Sequence, residues 1–427
     1  MDRPYGGGPI LTDTIWRDRN FLLLWVSSSL SALADSAYFI VLAWTVVSST
    51  HSELALGTTL MLAALPRLAL MLLGGVAADR VSPKLLLTIS LGARALILAA
   101  LALAFSAGMA ERARDFYVVA LLFGTVDAFY WPTQGAIVPR VVTSARLATA
   151  NSVIQTAQQL ATVLGPLLAG VLLRFSPDRV FFSVAILYLI AVATVVFLHI
   201  PRWAGAFQDG PGSSPWTDLV TGLRYVFQVR VMAVIMGIAM VMSLLFMGPI
   251  NVGLPTFISH HGWSGTIYGY FESALGVGAI LGGLLTMALK GLRGHYRWIG
   301  IVASLIGWAF AGVSMIHGWP MGVALMAIAG AGMSITTIPT MTYIQTIADE
   351  ALLGRVMSLF TLMSIGLTPV SYALCSWILS TQLLKAHQLM FASGILLALL
   401  FLSLFLFPEY RTMEDHPRWR HQESASR

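Results

Sequence analysis

The sequence predicts an all-α membrane protein of twelve transmembrane helices arranged in two six-helix halves. Three observations predict it: composition, the spacing of apolar runs, and a self-similarity at one fixed offset. Hydrophobic residues make up 57% of the 427 residues and charged residues only 10%. A soluble domain carries roughly a quarter charged residues to cover its surface. The net charge of +6 does not point to nucleic acid, because the basic residues are scattered singly between apolar runs. The single cysteine, Cys375, lies in an apolar run and excludes an internal disulfide and a cysteine metal site.

Apolar stretches long enough to span, at about 20 residues each, occur near 20–47, 54–78, 84–107, 116–139, 148–173 and 180–200. Six more follow near 231–257, 266–289, 298–316, 320–346, 356–380 and 386–407. The first begins near Asn20 and is too long for the apolar core of a signal peptide, so no leader is expected. Most of the 25 Lys and Arg fall in the termini and the even-to-odd connections. Only Arg112, Arg114, Arg174, Arg179 and Lys385 fall on the other side. That bias places both termini in the cytoplasm.

The layout follows: an N-tail over 1–19, a first half over 20–200, a linker over 201–230, a second half over 231–407 and a C-tail over 408–427. The linker starts rich in Gly, Pro and Ser. Its later part has apolar residues at Trp216, Leu219, Val220, Leu223, Val226 and Phe227. That spacing predicts an amphipathic helix lying on the inner membrane face. The charged C-tail is expected without fixed structure. The halves match at a constant offset: Gly74-Gly75 against Gly282-Gly283 and Gly124 against Gly332 at 208 residues, Arg146 against Arg355 at 209. An internal duplication leaves such a trace.

Gly75-Val-Ala-Ala-Asp79-Arg80-Val-Ser-Pro-Lys84, between the second and third spans, resembles the signature loop of the major facilitator superfamily. Ser82 and Pro83 replace the second Gly and the middle basic residue of that pattern. Gly165-Pro166-Leu-Leu-Ala-Gly170 in the fifth span resembles the helix-packing element of the superfamily's drug exporters, with Ala169 for one Gly. The stretch Gln345–Ser358, Phe129–Pro132 and Val138-Pro-Arg140 are similar to the branch of macrolide-efflux proteins and the enterobactin exporter, the third drug:proton antiporter family. Many proton-coupled exporters carry an Arg inside the fourth span, whereas this chain has Asp127 there and no Arg before Arg140. The resemblance implies a conformational latch of Gly75, Asp79, Arg80, Lys84, Arg140 and Arg355, with Asp79 facing Arg355 in one state.

Five ionisable residues fall inside spans: Asp35, Arg67, Arg94, Asp127 and Glu272. Each costs about 2.5–3.5 kcal/mol at the centre of a span, so each needs a reason to be there. If each Arg pairs with one acid, one of the three carboxyls keeps no cationic partner and can take and release a proton. Asp35, Asp127 and Glu272 are the proton-coupling candidates, and Asp35 is favoured because it falls near the middle of the first span. The bland alternatives are a structural Asp127–Arg94 pair, an Arg67 bonded to carbonyls loosened by Pro66, a structural hydrogen-bonding role for Asp35, and a solvated vestibule Glu272.

Asn151, Gln155, Gln158, Thr162 and Pro166 share one face of the fifth span. Met357, Thr361, Ser364, Thr368 and Tyr372 repeat those steps in the eleventh. Such stripes line a water-filled cavity or bond helix to helix. Tyr38, Phe39, Tyr130, Trp131, Tyr268 and Phe271 are candidates to stack on an apolar or cationic ligand, against packing as the commoner role. His260-His261 lacks metal-ligand spacing and is expected as a solvated pair. No Ser/His pair, His-Glu-x-x-His motif or carboxylate dyad lies in a span, so no enzyme and no metal site is expected. The expected function is a monomeric, multi-pass secondary transporter of a bacterial inner membrane. It would need no cofactor and export lipophilic or amphipathic compounds against protons by alternating access. A siderophore or lysolipid exporter of the same architecture, or a non-transporting sensor, is the alternative.

Overall fold

The computed structural model describes residues 15–110, 112–143, 146–199, 215–289, 298–349, 352–413 and 419. Among them the secondary structure is helical throughout. The first half holds α1 (Arg19–Thr50), α2 (Glu53–Arg80), α3 (Pro83–Ser106), α4 (Ala113–Val141), α5 (Leu147–Leu172) and α6 (Pro177–Val196). The linker helix α7 (Pro215–Gln228) follows. The second half holds α8 (Arg230–His260), α9 (Gly265–Ala288), α10 (Ile299–Val313), α11 (Trp319–Ile347), α12 (Leu353–Ser380) and α13 (Ala386–Ser403), before a short α14 (Pro408–Arg411). Ten of these helices are long and apolar enough to cross a membrane. The 15-residue α10 is apolar but shorter, and the polar stripe of the 26-residue α5 keeps it out of that group.

Local chemistry sets the helix boundaries. Asp18 caps α1 by accepting from the Asn20 and Phe21 amides at 2.9 and 3.2 Å, and Ser52 caps α2 through Ala55 N–H at 3.2 Å. Pro83 and Pro177 open α3 and α6, where a missing N–H removes no helical bond. One turn of α8, Pro249–Gly253, is π-helical. The eleventh predicted span is interrupted at residues 366–367, within α12. Pro369 explains the break: it lacks the N–H that would bond Ile365, and its ring crowds that carbonyl.

The end of the bundle carrying the turns at His51, Gly108 and Gly262 is called the upper end, and the opposite one the lower. In each half, glycines seat one helix directly on the backbone of another. A Cβ on Gly74 of α2 would lie 2.4 Å from the Ala128 carbonyl of α4, and one on Gly282 of α9 would lie 2.3 Å from the Ala331 carbonyl of α11. The matching glycines read from the sequence therefore do matching work. Small residues permit this close approach where lipid leaves helix packing to van der Waals contact.

Two further elements pack against the lower end. Besides residues inside the bundle such as Val226, α7 presents Gly222 to Arg355, with Cβ positions 3.3 Å apart, and the Tyr225 hydroxyl accepts from the Asp349 amide at 3.1 Å. The linker helix thus docks on the start of α12, while Val220 and Phe227 remain exposed; the side chains of Trp216 and Leu219 lie outside the described residues. The C-tail also begins ordered. Tyr410 is buried and its hydroxyl accepts from Gly300 N–H at 2.9 Å, because the amides at the start of α10 need acceptors.

A side chain at Gly330 would meet the Leu275 carbonyl at 1.9 Å, whereas one at Gly92 meets nothing within 4 Å. Gly330→Ala is expected to cost about 1–3 kcal/mol through forced separation of α9 and α11. Gly92→Ala should leave stability unchanged or slightly raised. Thermal unfolding of both variants in one detergent checks this, and equal midpoints would refute the packing role of Gly330.

Candidate functional site

The buried charges of the first half come together at one point. Arg94 on α3 is fully buried, and its guanidinium donates to Asp35 on α1 at 2.8 Å and to Asp127 on α4. Asp127 also accepts from Arg67 on α2, Nε to Oδ2 at 3.1 Å. The Tyr188 hydroxyl on α6 donates to Asp35. Aromatic faces close the cluster: Arg94 Cζ sits 4.5 Å from the Tyr130 ring centroid, 5.3 Å from Phe123 and 5.8 Å from Tyr188. Two cations and two carboxylates thus balance, and ring quadrupoles face the part of the guanidinium that no carboxylate reaches.

This corrects the favoured reading of Asp35 as the acid without a partner, because Arg94 is long enough to reach α1 and α4 together. The structural Asp127–Arg94 pair is present. Arg67 pairs with Asp127 instead of the carbonyls near Pro66, and lies over the Trp131 ring at 5.9 Å. The acid left over is Glu272 on α9. The residue is half-buried, and its Oε1 is buried with no hydrogen-bond partner among the described residues.

Glu272 sits beside the seam between the halves. At the upper end α5 meets α9: Thr266 Oγ1 donates to the Gly170 carbonyl at 2.7 Å, and Ser273 to the Val163 carbonyl at 3.0 Å. A Cβ on Gly269 would lie 2.5 Å from the Pro166 carbonyl, and one on Gly165 would strike Ser36 of α1 at 2.4 Å. Pro166 and Gly170 of that motif therefore lie in the inter-half contact, whereas Gly165 packs α5 on α1 within the first half. The second seam joins α2 to α12, where Gly57 lies against Ser376 and Tyr372. His260 and His261 are exposed, as expected of a solvated pair, with His260 Nε2 3.4 Å from Glu53 and His261 against the Phe257 ring. At the lower end Asn151 and Gln155 of α5 and Thr361 of α12 are exposed, with Gln158 and Ser364 half-buried.

The aromatic candidates divide. Tyr38 is fully buried, stacked on Phe123 at 3.9 Å, and Tyr130, Tyr268 and Phe271 are buried too. These four serve as packing in this conformation, because the charge cluster and the upper seam need apolar cover; Phe39 is half-buried and Trp131 exposed. The side chains of Gly75, Asp79 and Arg80 lie outside the described residues. Of the other latch residues, Lys84 Nζ donates to the Val196 and Leu198 carbonyls that end α6, at 2.8 and 2.7 Å, and Arg140 and Arg355 are half-buried at the lower ends of α4 and α12.

A cavity of about 330 Å³ opens inside the second half between α8, α11, α12 and α13. Thr361 and Ser364 line it, whereas Thr368 hydrogen-bonds with Ser243 at 3.3 Å. Sequence reasoning missed its other wall, Thr336, Thr337 and Thr340 of α11; a cluster of threonines around Pro339 was the available signal. It also missed Tyr188, a single Tyr in an apolar span with nothing in the chain to mark it.

A bundle in two packed halves, with buried charges and a cavity among its helices, defines a multi-pass membrane transport protein and not an enzyme. The chain belongs to the Major Facilitator Superfamily, whose family model matches residues 24–371. It is 24% identical over 323 residues to the enterobactin exporter EntS of Escherichia coli, covering 73% of this chain and 74% of that one. Its fold is similar to that of the nucleoside transporter NupG, with TM-score 0.70 and 16% identity over 92% of this chain and 98% of that one. A bacterial homologue of the iron transporter ferroportin in an inward-facing state gives TM-score 0.67 and 14% identity, covering 91% and 99%.

Removing Arg94 would leave two buried acids facing each other, at a cost of about 3–5 kcal/mol. Arg94→Leu is therefore expected to lower the thermal midpoint sharply and reduce monodisperse protein. The triple variant Asp35→Asn, Arg94→Leu, Asp127→Asn should recover most of the loss. Wild-type stability in Arg94→Leu alone would show that the cluster is not structural.

Proposed function

We propose that this protein is a proton-coupled exporter of lipophilic or amphipathic compounds, working by alternating access in the bacterial inner membrane. In this reading α1–α6 and α8–α13 make twelve crossings, both termini are cytoplasmic, and the lower end faces the cytoplasm. The observation that carries it is the placement of Glu272, the intramembrane acid without an Arg partner, beside the glycine-lined α5–α9 seam. An acid in no ion pair takes up and releases a proton without breaking one. At a seam that must part when the halves rock, its protonation can be tied to that motion. Contact at the upper end with exposed polar residues at the lower end supports an inward-open state. Asp35 and Asp127 then hold the first half rigid, and Asp79 latches the alternative state against Arg355.

The name of the Escherichia coli relative favours a siderophore as cargo, and the same vesicle experiment separates the two readings. Inverted membrane vesicles holding a pH gradient are offered a macrolide, a lipophilic cation and a catecholate siderophore. The gradient is expected to collapse with a lipophilic compound in wild type and not in Glu272→Gln. Collapse in Glu272→Gln as strong as in wild type would remove Glu272 from coupling, and a response to the siderophore alone would select the second reading. Asp79→Asn is expected to slow transport several-fold while ligand binding persists; loss of both together would refute the latch.

A further inference from the structure

We infer that the cavity inside the second half is a binding pocket for an uncharged, largely apolar group that carries hydroxyl donors. Its wall is drawn from the second half, mainly from α8, α11, α12 and α13, and Thr337 and Thr361 on that wall are exposed. In the first half, the interior among α1, α3, α4 and α6 is filled by the Arg94 cluster and its aromatic rings. Among the described residues, every residue lining the cavity is uncharged. At about 330 Å³ the space is at the lower bound for a small-molecule pocket and far above the share of one water.

Two features define the ligand. Most of the wall is apolar, and Met242, Met247, Met341 and Met413 contribute to it. Methionine side chains are unbranched and polarisable, so they adapt to rings and chains of different shape. A carboxylate, phosphate or ammonium group would enter with no counter-charge, which is costly away from water. The polar edge is directional. Thr336 donates its hydroxyl hydrogen to the Gly332 carbonyl at 2.7 Å, Thr361 to Met357 at 3.0 Å and Ser364 to Phe360 at 2.8 Å. With their hydrogens committed to the helix backbone, these three hydroxyls offer lone pairs to a ligand that donates. A neutral alcohol or phenol on an apolar body meets all of these conditions. An ether of the same shape meets all but the last.

That the bound group is part of the exported cargo rests on the exporter reading; the pocket itself does not. The test is photolabelling of the purified protein in lipid nanodiscs, with no gradient and no transport, so its outcome is separate from that of the vesicle assay. The probe is trifluoromethyl-diazirinyl benzyl alcohol, compared with its methyl ether and with the corresponding benzoic acid. The alcohol is expected to label peptides spanning residues 235–247 and 336–341, with saturation by unlabelled benzyl alcohol derivatives. The ether should label several-fold less and the acid about tenfold less. Ala239→Trp, which fills the cavity, should abolish the saturable part. If that variant does not fold, the double variant Thr336→Val, Thr361→Val decides, because it should erase the preference for alcohol over ether. Equal labelling by all three probes, or saturable labelling unchanged in these variants, would overturn the proposal.

Discussion

The structure depends on one constraint: a guanidinium buried inside the bundle must be answered by opposite charge and by aromatic rings. Arg94 meets it by holding α1 and α4 at once, through Asp35 and Asp127, beneath Tyr130, Phe123 and Tyr188. Removing either acid leaves charge uncompensated at several kcal/mol, so these helices cannot drift independently. Arg67 extends the network to α2 and Tyr188 extends it to α6. The first half is therefore tied as one body by electrostatics as well as packing.

The second half solves the same packing problem without charge. Its helices meet through small-residue backbones, as at Gly282–Ala331 and Gly330–Leu275, and leave a methionine-lined hollow among α8, α11, α12 and α13. The two halves thus differ inside: the first is filled by a charge cluster, and the second holds a hollow lined by uncharged residues. The seams between them rely on small residues, because surfaces that slide cannot interlock through long side chains. Glu272 stands beside such a seam, outside the charge balance of either half.

Much of this was legible along the chain. Apolar runs separated by short polar turns fix helices and their order, since a buried backbone must bond to itself. Gly74 and Gly282 were readable as equivalents, and the motif Gly165-Pro166 to Gly170 was readable as a packing element. The five intramembrane charges were visible as exceptions to apolar composition. Their partners were not, because α1, α3 and α4 lie tens of residues apart in the sequence and only folding sets which acid an Arg reaches. The preference for Asp35 came from its depth in a span, and depth does not report pairing.

By itself the sequence determined a helical membrane protein of this superfamily, its two-fold internal pattern and the short list of residues that membrane burial must justify. These are properties of local composition and periodicity, which each segment carries alone. Tertiary structure decided that Asp35 and Asp127 share Arg94, that Glu272 is the acid left over, that Tyr38 and Phe271 are packing, and that a neutral cavity opens beside Thr336. Each of those facts concerns the distance between side chains on different helices, and distance across a bundle is fixed by packing, not by order along the chain.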